Sequence, residues 1–201
     1  SKFFGAIFIL MTIWVYYFFR DPERHPINDD TFLVSPADGL ITDISERTGP
    51  IELQLENTTY TKASIFMNVF NCHVNRTPLT GTVEEINYKP GKFLNASLDK
   101  ASEENERNYF KIQNSSGDDI IAVQIAGLIA RRIKCDLKLN QTVKSGEKYG
   151  IIRFGSRVDL YLPTNFTINI LKGQTMIGGE TVIANIPKNS KKISSEKDKI
   201  P

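Results

Sequence analysis

The run Phe3–Phe19 constrains the fold before anything else in the chain does. Its only clearly non-apolar members are Gly5 and Thr12, so as a helix it is apolar on every side. Such a helix is either buried whole or set against lipid. At helical rise it reaches about 25 Å, the short end for a bilayer span. Trp14, Tyr16 and Tyr17 gather toward its C-terminal end, and Arg20 and Arg24 follow. Aromatics and then arginines are the order of a membrane interface that faces the cytoplasm. A secretory signal is the alternative, but no small-x-small cleavage site follows, and the aromatic-Arg-Asp-Pro junction runs straight on. Residues 1–24 therefore read as an apolar membrane-associated helix, crossing a thinned bilayer or lying at its surface, in preference to a buried core helix.

After Pro26 the pattern changes to short strands and turns. Thr31–Ser35 leads into the turn Pro36-Ala37-Asp38-Gly39 and then Leu40–Ile44. Ile51-Glu52-Leu53-Gln54-Leu55-Glu56 alternates as a half-buried strand does. Ser64–Phe70, Thr82–Tyr88 and Ile120–Ala126 read as further strands, and Pro90–Asn108 as a long loop. No alternation of strand and helix signals a parallel sheet. A weak repeat, Val143-Lys144-Ser145-Gly146-Glu147 with Gly150 against Leu171-Lys172-Gly173-Gln174 with Gly178, reads twice as strand, glycine turn, strand. Hairpins of that kind recur in lipoyl-type sandwiches. The fold class is accordingly mainly β, an antiparallel sandwich or barrel with lipoyl-like hybrid hairpins over residues 25–186. The last residues, 187–201, hold five lysines against two acids and read as a basic disordered tail.

Charge and cysteine content narrow the function classes. With 25 basic and 23 acidic residues the net charge is +2, which gives no field for nucleic acid. Cys72 and Cys135 form no CxxC and fit a reducing compartment. His25 and His73 are the only histidines, so no metal site is expected.

The candidate reacting group is Ser156. Gly155-Ser156 lies between two strand-like stretches, Tyr149–Phe154 and Val158–Leu162. A glycine permits backbone conformations closed to other residues, and the serine beside it could turn its hydroxyl on the preceding carbonyl. An ordinary turn is the plainer alternative. His73, just beyond an apolar strand, is either a loop base able to reach a site or a satisfied core histidine. Asp38 either stabilises its own turn or orients a base.

Five segments, in order, resemble the phosphatidylserine decarboxylase proenzymes in their short form. They are Phe18-Phe19-Arg20-Asp21-Pro22-Glu23-Arg24, Val34-Ser35-Pro36-Ala37-Asp38-Gly39, Phe66-Met67-Asn68-Val69-Phe70-Asn71-Cys72-His73-Val74-Asn75-Arg76-Thr77-Pro78, Asn105-Glu106-Arg107-Asn108, and Phe154-Gly155-Ser156-Arg157-Val158-Asp159-Leu160-Tyr161-Leu162-Pro163. The resemblance runs from about Phe18 to Ala184. It implies self-cleavage between Gly155 and Ser156 into a β chain 1–155 and an α chain 156–201 that stay associated. It also implies conversion of Ser156 to a covalent pyruvoyl group. That group would form a Schiff base with the substrate amine and act as the electron sink that side chains lack. His73 would be the base for Ser156 and later the acid, with Asp38 orienting it. The implied reaction takes phosphatidylserine to phosphatidylethanolamine and CO₂ in phospholipid biosynthesis. The implied setting is a homodimer at the cytoplasmic face of the cell membrane. Arg76, Lys92, Arg131 and Arg132 are open candidates for the lipid phosphate. Two rivals remain. One is a membrane-associated serine hydrolase acting on lipid esters without self-cleavage, although Ser156 lacks the Gly-x-Ser-x-Gly elbow. The other is a carrier module modified on Lys172.

Overall fold

In the computed structural model, residues 2–92, 104–127, 132–153 and 155–187 are described. In chain order the elements begin with helix α1 (Lys2–Phe18) and strands β1 (Phe32–Val34), β2 (Gly39–Thr48), β3 (Thr59–Met67) and β4 (Val74–Arg76). Strands β5 (Gly81–Lys89), β6 (Arg107–Gln113), β7 (Asp119–Ile125), β8 (Ile133–Cys135) and β9 (Thr142–Val143) follow. The last five are β10 (Lys148–Ile152), β11 (Ser156–Pro163), β12 (Thr167–Ile168), β13 (Thr175–Met176) and β14 (Val182–Asn185). Eight of them form one antiparallel sheet in the order β13-β2-β3-β11-β7-β6-β5-β9, which curls into a half-barrel. Two three-stranded sheets, β1-β14-β12 and β4-β10-β8, complete the β structure of the described residues. The class expected from sequence, mainly antiparallel β, is the class observed; the architecture is one curled sheet with two small ones.

β11 lies inside the large sheet because its sequence suits both faces of a central strand. It pairs along its length with β3, from Ser156↔Met67 to Pro163↔Tyr60, and with β7 from Arg157↔Ile125 to Tyr161↔Ile121. Val158, Leu160 and Leu162 turn to the main core with Ala63, Ile65, Met67, Phe110 and Ile112. Each such side chain contributes roughly 1.5–3 kcal/mol by leaving water. Tyr161 turns the other way, against a second cluster of Leu53, Tyr60, Tyr109, Ile121, Val123 and Ile125.

Two sequence expectations are corrected. The repeated hairpins are not hairpins. β9 pairs with β5 and β10 with β4 and β8, while β12 pairs with β14 and β13 with β2. What repeats is the turn. In Lys144–Glu147 and Leu171–Gln174 the fourth residue donates its N–H to the first residue's carbonyl at 3.1 Å. Its side-chain oxygen accepts the first residue's N–H at 2.9 and 3.1 Å. The third residue, Gly146 or Gly173, has φ of +76° or +88°, which selects glycine. Lys138–Gln141 is a third copy, with Asn140 at φ 62°. A short sequence echo thus encoded a turn closed by its own Glu or Gln, and long-range pairing chose the strands.

The alternating stretch Ile51–Glu56 is not a strand. Gly49-Pro50 ends β2, and Ile51–Leu53 forms a 3₁₀ turn that leaves through Gln54 at φ 56°. Pro50 has no N–H for a ladder, and its carbonyl instead accepts from Leu53 and Leu55. Alternation is served all the same, since Leu53 and Leu55 join the second cluster while Glu52 meets Lys89 and Arg107. Of the expected loop Pro90–Asn108, residues 93–103 lie outside the described residues, and Arg107 and Asn108 open β6. Most of the expected tail, residues 188–201, lies outside them too.

Helix α1 covers the apolar run and buries one residue, Phe18. No helix among the described residues is long and apolar enough to cross a membrane. The junction after α1 is bonded to the β structure. Asp21 pairs with Arg76 at 2.6 Å and Lys148 at 2.7 Å, and Arg24 with Asp38 at 2.8 Å.

Candidate active site

The site forms where β3 and β11 end side by side. Beyond Met67 the chain reverses through Asn68–Asn71. Asn71 donates its N–H to the Asn68 carbonyl at 3.0 Å, and the Asn71 amide oxygen accepts the Asn68 N–H at 2.8 Å. The Asn68 side chain accepts the Phe70 N–H at 2.9 Å. Asparagine suits such turns because its side chain imitates backbone. The reversal leaves Phe70 at the tip and returns His73 inward, fully buried.

The His73 tautomer follows from its partners. Nδ1 lies 3.0 Å from the Asn71 carbonyl, which can only accept, so Nδ1 carries the proton. Nε2 is therefore bare, and it accepts the Gly155 N–H at 3.4 Å. Burial pushes the imidazole down to about 4, against the Asn71 bond and with help from the Arg20 charge. At neutral pH His73 is an uncharged acceptor. The Phe18 ring covers it, centroids 4.3 Å apart and planes inclined by 32°.

Gly155 has φ of +65°, in the left-handed region that disfavours other residues, with no atom within 4 Å of where a Cβ would stand. Ser156 follows as the first residue of β11, fully buried, its Oγ 3.9 Å from the Met67 sulfur. Sulfur is a weak acceptor, so the hydroxyl is held loosely beside the Gly155–Ser156 peptide bond. The structure thus brings His73 to the glycine of the pair, with Ser156 next in the chain.

Asp38 is placed elsewhere. Its carboxylate accepts two bonds from Arg24 Nη2, at 2.8 and 3.0 Å, and the Gly178 N–H at 2.7 Å. The sequence reading makes Asp38 the orienter of His73; in the structure the Asn71 carbonyl orients the ring, and Asp38 ties the segment after α1 to the turn at Gly178. Of the phosphate candidates, Arg76 is occupied by Asp21, Pro22 and Gly146. Lys92 pairs with Glu104 at the surface, Arg132 is exposed, and Arg131 lies outside the described residues. Lys172 stands exposed in its glycine turn.

Sequence reasoning missed Phe18, Arg20 and Asn71 as members of the site. The segments it singled out are bonded to one another. Arg24 meets Asp38, and Asp21 meets Arg76. Asn108 donates to Gln124 at 3.0 Å, and Gln124 donates to Asn75 at 2.9 Å.

Comparison with known proteins follows the same segments. A family model described as phosphatidylserine decarboxylase matches residues 11–184. The chain is 60% identical over 184 residues to the phosphatidylserine decarboxylase proenzyme of Pelagibacter ubique (strain HTCC1062), covering 92% of this chain and 85% of that one. It is 55% identical over 182 residues to the proenzymes of Rickettsia typhi and Rickettsia prowazekii, covering 90% of this chain and 78% of each relative.

Proposed function

The chain belongs to the phosphatidylserine decarboxylase family, and from that premise we propose that it decarboxylates phosphatidylserine to phosphatidylethanolamine after cutting itself between Gly155 and Ser156. The observation that carries the cut is the bare Nε2 of a neutral, buried His73 at the backbone of a positive-φ glycine joined to a buried serine.

The Ser156 Oγ attacks the Gly155 carbonyl carbon, and the new C–O bond replaces the C–N bond to Ser156. A free hydroxyl is a poor nucleophile, so its proton goes to His73 Nε2. The imidazolium formed is a strong acid in this dry setting and passes the proton to the departing Ser156 nitrogen. Loss of the residue-156 Cα proton breaks the Cβ–Oγ bond. The Gly155 carboxylate is released and dehydroalanine is left at position 156. Addition of one water with departure of ammonia yields the pyruvoyl group. Ser156 and its surroundings fit that product, since the residue is the first of β11 and is buried, so the new group would stand at a strand end out of bulk water. The group, once formed, supplies a carbonyl that takes up the substrate amine and receives the electron pair left by CO₂. His73 Nε2, bare at rest, would take up the proton that the substrate ammonium gives up on condensing and return it to the substrate carbon once CO₂ has left. Asp38 acts at one remove, by docking Arg24.

We carry the wider setting as part of the same reading. Residues 1–24 associate with the membrane, supported by the outward Phe3, Phe4, Phe8, Ile9 and Leu10 of α1. Residues 25–186 form the decarboxylase domain and 187–201 a basic tail. The β chain 1–155 and the α chain 156–201 remain together, because β11 is hydrogen-bonded on both sides to strands of the β chain. The protein works as a homodimer at the cytoplasmic face of the cell membrane. Family membership favours this reading over a serine hydrolase that leaves its chain intact.

Intact-mass analysis beside a Ser156→Ala variant is the test. We expect two fragments meeting at 155/156, the smaller with a blocked N-terminus, CO₂ release from phosphatidylserine vesicles, and a single inactive chain for the variant. One uncut chain of full mass in the parent protein overturns the mechanism.

A further inference from the structure

We propose that Phe18 and Arg20, at the base of α1, are positioning residues for His73, so that the apolar helix is one wall of the reaction centre as well as an anchor. The proposal rests on His73 being the base, as argued above, and extends it to residues with no chemistry of their own.

Phe18 is the one residue α1 buries, and it lies face-on to the imidazole at 4.3 Å between centroids. Trp14 and Phe19 pack on it at 5.7 and 5.0 Å, which fixes its ring. Arg20 fastens the turn that carries the ring. Its guanidinium lies 3.9 Å from the Tyr17 ring centre, donates to the Tyr17 carbonyl at 2.8 Å, and donates to the Phe70 carbonyl at 3.0 Å. The Cys72 thiol donates to the Arg20 carbonyl at 3.3 Å. The residues on both sides of Asn71, whose carbonyl sets the His73 tautomer, are thus fastened to one residue of the helix junction. An imidazole could be buried by any apolar side chain of the core. Here the cover comes from the segment that also meets lipid.

The groups about the ring are Phe18 and Arg20 from α1 and its junction, Asn71 and Cys72 from the turn, and Gly155 and Ser156 from the start of β11. Of these only Arg20 is charged. Removing the Phe18 ring admits water and lets the imidazole turn. Removing Arg20 loosens the turn and withdraws a repelling charge. Both changes move His73 toward ordinary histidine behaviour and away from Gly155.

The experiment uses the full-length protein in detergent. His73 is titrated by NMR in the Ser156→Ala background, where cleavage cannot interfere. Self-cleavage is timed in the Ser156 protein. Phe18→Ala is expected to raise the His73 midpoint from about 4 toward 6.5 and to slow cleavage about tenfold or more. Phe18→Leu, which keeps apolar bulk, is expected to hold the midpoint low and recover most of the rate. Arg20→Gln, at a half-buried position, should raise the midpoint less and slow cleavage about threefold. Leu33→Ala, an equally buried core change, should lower Tm and leave the titration where it is. An unmoved midpoint and unchanged cleavage in Phe18→Ala overturn the proposal. So do losses that merely track Tm as in Leu33→Ala. If Phe18→Ala fails to fold, an Arg20→Gln protein indistinguishable from the parent overturns it. Should His73→Ala cleave at the parent rate, the base assignment fails, while the titration still reads whether Phe18 and Arg20 hold the ring.

Discussion

The two faces of β11 differ in kind. On one, Ser156, Val158, Leu160 and Leu162 run in line into the apolar core, and no charged side chain lies among them. On the other, Arg157 and Asp159 form an ion pair at 2.9 Å, both almost wholly buried. Beside them opens a cavity of about 470 Å³ lined by Lys62, Lys89, Arg107, Glu52, Asp159 and Tyr161, among others. Burial, with Asp159 adjacent, pushes the Tyr161 phenol up. A search for a lined, charged hollow would choose the second face. The proposed chemistry uses the first, because its first substrate is the chain's own peptide bond. That reaction needs no hollow. It needs a glycine in an unusual conformation, a dry hydroxyl and an uncharged imidazole, and the strand end supplies all three. The charged face serves the fold: its cations have partners within the protein, Lys62 with Asp43, Lys89 and Arg107 with Glu52.

The division is sharpest where a change on one face stops chemistry without unfolding the protein. His73→Gln keeps a polar group of similar reach and removes the base. We expect self-cleavage, followed by gel at fixed pH, to slow by about 10²–10⁴, with the urea midpoint little altered at neutral pH. On the opposite face Asp159→Ala should do the reverse. It removes a buried ion-pair partner of Arg157, a loss of about 3–5 kcal/mol of stability by urea unfolding. Cleavage of the folded fraction should continue, and Arg157→Leu combined with Asp159→Leu should recover most of the loss. An Asp159→Ala protein that is folded yet uncut would break the comparison, since the charged face would then belong to the reaction.

Acid should distinguish the faces as well. His73 is held at about 4 in the fold, below its ordinary 6.5. Between those values the unfolded chain binds a proton that the folded one refuses, so stability is full above about 6.5 and is lost as pH falls toward 4. The loss is on the order of 3 kcal/mol. Unfolding of Ser156→Ala across that window, set against the same protein with His73→Gln, should show it in the first and not in the second.

How much of this was legible beforehand depended on whether the signal was local. The apolar run announced helix α1, and the branched residues of Val158–Leu162 announced a strand, because periodicity and β-branching act within a few residues. Gly155, Ser156 and His73 were singled out by their motifs, and the structure brings His73 to the Gly155 backbone. The partner of His73 was not. Asp38 looked like an orienter because carboxylates orient histidines in triads, but Arg24, fourteen positions away in sequence, holds that carboxylate. A backbone carbonyl such as that of Asn71 has no mark in a sequence at all. The segment Phe18–Arg24 was read as a membrane junction, and nothing local could tell that its first residue lies on the His73 ring. Ile51–Glu56 failed for a related reason, since alternation fits a turn that dips twice into a core as well as a strand, and the Gly49-Pro50 before it was the better guide.

The mildest change asks how far the charged face can be weakened before the reacting face notices. Glu52 lines the cavity, its carboxylate 2.7 Å from Lys89 and 3.5 Å from Arg107. Burial alone would raise its pKa, but the Lys89 bond and the Arg107 charge outweigh that and hold it below the ordinary carboxylate value. Such a group adds stability above its unfolded pKa, and the gain disappears as pH falls through the folded one. Glu52→Gln should therefore lower stability by about 1 kcal/mol at pH 7, since Lys89 is largely exposed and screened. Urea curves of variant and parent should converge as the pH drops below the carboxylate range. Self-cleavage should stay at the parent rate throughout. A slower cut in this variant, at a pH where both proteins are folded, would mean that the ion pairs around Glu52 reach across β11 to Ser156, and the two faces would have to be treated as one site.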